Sequence, residues 1–127
     1  MRQAVSTDKA PKAIGPYSQA IIESGFIFLA GQGPTNPATG KAELGDVRAE
    51  TRQTFANMTA ILEAAGASLD DVVKCNVYLK DINDFAAMNE VYASMFKAPF
   101  PARTTIQAAA LPGGISVEIE CIARKPK

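Results

Sequence analysis

Apolar positions along the chain recur with two different periods, and the changes between them mark out the elements. From Val72 to Lys80, Val73, Cys75, Val77 and Leu79 alternate with Lys74, Asn76, Tyr78 and Lys80, the pattern of a half-buried strand. Upstream, Val47, Phe55, Met58, Ile61, Leu62 and Ala65 fall three and four apart, which predicts a long helix with one face on a sheet. Asp46 suits its N-cap and Gly66 the position just past its end. A second helix, capped by Asp81 or Asn83, is predicted to run to about Phe96, with Phe85, Met88, Tyr92, Met95 and Phe96 on one side. Pro99 and Pro101 stop it.

Earlier in the chain, residues 1–16 read as irregular apart from a short strand at Arg2–Val5. Ser18–Glu23 reads as a strand, turned by Ser24-Gly25 into Phe26–Ala30, which is apolar on both faces and is therefore expected to be buried on both. Gly31-Gln32-Gly33-Pro34 should break that strand, and Thr35–Gly40 is turn chemistry throughout. At the other end, Phe100–Gln107 and Ile115–Cys121 read as two strands of a closing hairpin, joined by Leu111-Pro112-Gly113-Gly114. The expected class is α+β, a mixed β-sheet with two helices packed on one face. If Val117, Ile119 and Cys121 face the helices, Ser116, Glu118 and Glu120 point the other way. That second face would carry Phe26–Ala30 and small residues such as Ala108–Ala110, which do not suit solvent, so another copy of the chain is expected to cover it.

Composition narrows the chemistry. The 127 residues suffice for one domain with an ordinary core, taken as 1–127. Thirteen basic and thirteen acidic residues cancel, and the only basic cluster is the tail Arg124-Lys125-Lys127, expected to be a solvated end. No field would draw the chain to nucleic acid or an anionic membrane. The apolar runs fall short of a bilayer span, and the N-terminus lacks the apolar region of a secretion signal, so a cytoplasmic protein is expected. Cys75 and Cys121 sit in strand patterns and read as reduced packing thiols. There is no histidine, which removes Ser-His and Cys-His nucleophiles and His-ligated metals, and no CxxC, P-loop or GxGxxG motif is present. Chemistry must come from Arg, Glu, Tyr, backbone groups and water.

Two residues draw attention on those terms. Arg103 opens a strand just after Pro101, and its guanidinium could grip a carboxylate through two parallel bonds or simply pair with a surface acid. Glu118 lies between Val117 and Ile119 on a strand that looks internal, where a carboxylate needs partners, or it is a solvated acid on the polar face. Glu120 shares its parity, so alternation does not separate them. The hairpin would bring Arg103 and Glu118 close together. Tyr17, after Gly15-Pro16, suits either a site wall or packing, and Gly31 and Asn89 carry weaker signals.

Several segments, in order, resemble the RidA reactive-intermediate deaminase family over essentially the whole length. They are Ala10-Pro11, Ile14-Gly15-Pro16-Tyr17-Ser18-Gln19-Ala20, Gly31-Gln32 and Asn36-Pro37-Ala38-Thr39-Gly40, followed by Asp84–Asn89, Phe100-Pro101-Ala102-Arg103, Leu111-Pro112 and Val117-Glu118-Ile119-Glu120. The resemblance implies a chorismate-mutase-like homotrimer with sites between subunits. It implies hydrolysis of 2-imino acids such as 2-iminobutanoate and 2-iminopropanoate, or their enamines, to 2-keto acids and ammonia, with no cofactor or metal. Arg103 would grip the substrate carboxylate, aided by groups near Thr105, and Glu118 would orient a water and take its proton. Tyr17 and Gly31 would shape the wall, with Asn89 supplying a polar contact. Thr105 stands where many members have cysteine, Thr104 where serine is usual, and Ala30 where serine is frequent, which leaves substrate preference open. The rival readings are a 2-aminomuconate-type deaminase, a non-catalytic metabolite binder, and an RNA-acting or translation-inhibiting member.

Overall fold

A computed structural model describes residues 1–127. Its main sheet has six strands, β1 (Gln3–Val5), β2 (Ala20–Glu23), β3 (Phe26–Gln32), β6 (Val72–Leu79), β7 (Ala102–Gln107) and β8 (Val117–Arg124), in the order β1-β2-β3-β8-β6-β7. All neighbours are antiparallel except β6 and β7. Two helices, α1 (Val47–Ala64) and α2 (Phe85–Met95), pack on one face and on each other. A small hairpin, β4 (Thr35–Asn36) with β5 (Lys41–Ala42), occupies the stretch read as a loop, its turn closed by Asn36 and by Gly40 at φ 72.

Helix α1 forms as its sequence implies. The Asp46 carboxylate accepts from the backbone N–H of Arg48 and Ala49, and Gly66 ends the helix at φ 83. Phe55, Met58, Ile61 and Leu62 lie against Ile27, Leu29, Val77, Ile119 and Ala123 in one core. Lys125 donates its ammonium to the Ala65 carbonyl, so part of the basic tail caps α1 instead of standing in solvent. Asp81 caps a one-turn helix, Ile82–Asp84, and α2 starts after it.

Five expectations need correction. The last two strands do not form a hairpin: β6 lies between them, pairing in parallel with β7 and antiparallel with β8. The reason is the connection through α2, since a helical crossover returns the chain parallel to the strand it left and puts β7 at the sheet edge. Strand β3 does not stop at Ala30 but runs to Gln32 through an irregularity between Leu29 and Gln32. It is buried on one face only: Ile27 and Leu29 are enclosed, whereas Phe26 is 41% and Phe28 43% exposed. Val73 points outward, because the register of β6 against β8 shifts between Val72 and Lys74 and turns the intervening residue out of the core. Ser116, expected on the second face, instead gives its N–H and hydroxyl to Glu50 on α1 at 2.7 and 2.8 Å.

The parity of β8 otherwise holds. Val117, Ile119 and Cys121 are buried beneath the helices, and Glu118 and Glu120 rise from the other, open face. Around them that face carries Ile21, Phe26, Phe28, Tyr78, Ile106 and Ile122. Cys75 and Cys121 stand opposite one another as free, buried thiols.

Candidate active site

Arg103 is set by its register. It pairs with Cys75, whose side chain is fully buried under the helices, so Arg103 leaves edge strand β7 on the helix face. There it meets α2. Its Nη1 donates to Asn89 Oδ1 at 2.6 Å, and its guanidinium lies over the Tyr92 ring at 4.6 Å and near the Phe85 ring at 5.3 Å. Phe85, Asn89 and Tyr92 are spaced i, i+4, i+7, one face of the helix. The ring and the amide therefore fix the plane of the fork while leaving most of its donors free. Asn89, Tyr92, Ala93, Phe100, Pro101 and Arg103 line an open groove of about 410 Å³. Thr105, two residues on and on the same face, has a buried hydroxyl without a partner.

Glu118 belongs to the opposite face. It pairs with Tyr78 on β6. On its other side a Cβ built at Gly31 would lie 2.5 Å from Glu118 Oε2. Glycine at 31 thus makes room for this placement of Glu118: its missing side chain is the space the carboxylate fills. Burial, and then the negative charge of Glu120, hold the Glu118 carboxyl above the usual range. Glu120 Oε1 accepts from Tyr78 Oη at 2.5 Å and from Asn76 Nδ2 at 3.1 Å. That hydrogen bond is also the main reason the Tyr78 phenol holds its proton more tightly than usual.

Of the sequence-derived site residues, one chain therefore assembles Arg103, Asn89 and Thr105 in one place and Glu118 with Gly31 in another. The expected closeness of Arg103 and Glu118 within the chain is wrong, because they leave the sheet on opposite faces with β6 between them. Tyr17 lies apart from both, 52% exposed, with its hydroxyl accepting from the Ile14 N–H at 3.1 Å. Sequence reasoning missed the seat beneath Arg103, having assigned Phe85 and Tyr92 to packing. The available signal was Asn89, a polar residue at helical spacing between two aromatics. It also missed the Glu120–Tyr78–Asn76 cluster, which needs the β6–β8 register to be seen. No group of three or more potential metal ligands gathers anywhere in the chain, and no helix is long and apolar enough to cross a membrane.

Comparisons with known proteins cover nearly the whole chain. Residues 7–125 match the family model described as Endoribonuclease L-PSP. A RutC family protein of Pyrococcus horikoshii is 54% identical over 125 residues, covering 98% of this chain and 99% of that protein. The human 2-iminobutanoate/2-iminopropanoate deaminase is 48% identical, covering 97% of this chain and 90% of its own. Among solved structures, the Rid-family protein YyfA of Yersinia pestis superimposes with a TM-score of 0.95 at 43% identity, covering 98% of this chain and 99% of that one. With the family model spanning the domain and relatives near half identity, the chain belongs to the RidA family of reactive-intermediate deaminases.

Proposed function

We propose that the chain hydrolyses short 2-imino acids of the 2-iminobutanoate and 2-iminopropanoate kind, and their enamine tautomers, to 2-keto acids and ammonia. It would do so without a cofactor, in a chorismate-mutase-like homotrimer with its sites between copies. The observation that carries this reading is an oriented guanidinium fork at an open groove, together with a carboxylate that no cation of its own chain neutralises, on a sheet face where Phe26, Phe28 and Ile106 stand half exposed. Relatives bearing the deaminase name support it.

In this reading Arg103 takes the substrate carboxylate through two parallel bonds and fixes C2 in the cleft, with the Tyr92 ring and Asn89 holding the fork flat. Glu118 accepts a proton from water as the water oxygen bonds to C2 and the C=N pair moves to nitrogen. Glu118 returns that proton to nitrogen, then passes the carbinolamine hydroxyl proton to it as well, so the oxygen's electron pair forms the carbonyl while the C–N bond breaks and ammonia leaves. Gly31 makes room for the carboxylate, Tyr17 walls the cleft, and backbone groups near Thr105 assist the anion. Imines hydrolyse unaided in water, so positioning with base assistance of ~10²–10⁴-fold is a sufficient demand. Because Arg103 and Glu118 leave opposite faces of one sheet, a shared site requires Arg103 of one copy to meet Glu118 of a neighbour.

The test couples a threonine dehydratase to this protein and follows 2-ketobutyrate appearance. Acceleration that disappears in Arg103→Ala is expected; no acceleration by the unaltered chain overturns the reading. Nothing in the site favours RNA as substrate: charge is balanced at thirteen and thirteen, and the open face is largely apolar.

A further inference from the structure

Two carboxylates rise side by side from the open face of β8, and their surroundings differ sharply. Glu120 has both nearby donors: the Tyr78 hydroxyl and the Asn76 amide converge on its Oε1. Tyr78 is the residue directly opposite Glu118 in the ladder, yet its hydroxyl is given to Glu120. Glu118 is left with no protein donor within hydrogen-bond range, pressed against the bare backbone of Gly31.

The other groups around it do not compensate. From β6 the face carries Lys74, whose ammonium is given to Thr104 Oγ1 on β7 at 3.1 Å, then Asn76 and Tyr78. From β3 it carries Phe26, Phe28 and Ala30, without charge. On β8 itself, Arg124 lies at the far end, opposite Phe26. Within one chain the charged group acting on Glu118 is Glu120; the guanidinium that a neighbouring copy would bring to the cleft acts the other way until the substrate carboxylate takes it up.

We propose that Glu120, clamped by Tyr78 and Asn76, is a positioning residue whose fixed negative charge makes Glu118 the group that both receives and returns the proton of the reaction. The inference rests on the reading of Glu118 as the base in imine hydrolysis. Water addition needs an acceptor and amine departure needs a donor, and one carboxyl serves both steps best when its proton affinity is drawn toward the working pH. Two like carboxylates in distinct surroundings separate these duties: Glu120 stays an acceptor for its two donors, while Glu118 carries the mobile proton. Burial acts in the same direction on Glu118, and Glu120 adds to it.

The experiment uses the assembled protein and the nearly isosteric Glu120→Gln, whose amide oxygen can still accept from Tyr78. The acid limb of kcat/KM on 2-iminobutanoate should move to lower pH, because losing the neighbouring charge makes Glu118 give up its proton more readily. At neutral pH kcat should fall ~10-fold as return of the proton to the amine weakens. Glu120→Asp, which keeps the charge, should restore the limb toward its original position. An unmoved acid limb in Glu120→Gln, with Glu118→Gln inactive, overturns this inference and leaves the deaminase reading standing. Near-normal turnover in Glu118→Gln overturns both. A second readout avoids dependence on activity: ¹³C titration of the Glu118 carboxyl should show a lower midpoint in Glu120→Gln than in the unaltered protein. An unchanged midpoint overturns the proposal.

Discussion

Arg103 owes its orientation to three neighbours. Asn89 holds one amino group, while the Tyr92 and Phe85 rings fix the plane in which the remaining donors point. Arg103→Lys keeps the charge but loses the fork, so kcat/KM should fall ~10²-fold, close to the loss in Arg103→Ala. Near-normal turnover in the lysine variant would show that two-point recognition is wrong. Gly31 makes a complementary prediction. Alanine there would put a methyl group 2.5 Å from Glu118 Oε2, and the flexible carboxylate would swing aside before the backbone moved. Gly31→Ala should therefore lose ~10²-fold in kcat with little change in melting temperature. A variant that melts far lower would place the conflict in the backbone instead.

At the scale of elements, β8 is where stability and the proposed chemistry compete. Its entry is tied to α1 by Glu50, a fully buried carboxylate that accepts from the Ser116 N–H and hydroxyl and from the Gly45 N–H. Glu50→Leu would strand those donors and should destabilise the chain by about 3 kcal/mol in urea titration, with an unchanged denaturant slope. Glu118, two residues beyond Ser116, works against the fold. Its proton is held more tightly folded than unfolded, so stability is greatest below the unfolded value and declines as pH rises through the folded one. Glu118→Gln should consequently be more stable than the parent at neutral pH while inactive, and the difference should vanish in acid. Equal thermal stability at both pH values would remove the burial argument for this residue.

For the whole molecule, the open sheet face is what the proposed homotrimer would cover. Phe26, Phe28 and Ile106 are 41, 43 and 48% exposed in a single chain, and covering what remains exposed of each contributes about 1 kcal/mol. If the proposed trimer buries this face, a charge there should be intolerable: the unaltered chain should elute as a trimer and Phe28→Glu as an inactive monomer in light-scattering chromatography, and a monomeric unaltered chain would overturn the assembly. A more specific prediction follows from the two faces. Mixing Arg103→Ala and Glu118→Gln chains, each inactive alone, should restore activity at roughly a quarter of the sites by random reassembly, because some clefts then receive both intact residues from different copies. No recovery would mean that the two act from the same chain, or not together at all.

The helices, their caps at Asp46 and Gly66, and the alternation of β8 and of β6 from Lys74 onward were readable in the chain, because periodicity and capping are local properties. The resemblance to a deaminase family was carried by ordered motifs in the same way. Pairing partners were not local. That β8 enters between β3 and β6, that a bulge turns Val73 outward, and that Asn89 with Tyr92 seats Arg103 depend on which strands and helices meet in space. The sequence by itself determined which residues could do chemistry. Tertiary structure decided that the two principal ones face opposite ways, since a side chain's face is set by its strand's register and β6 stands between their strands.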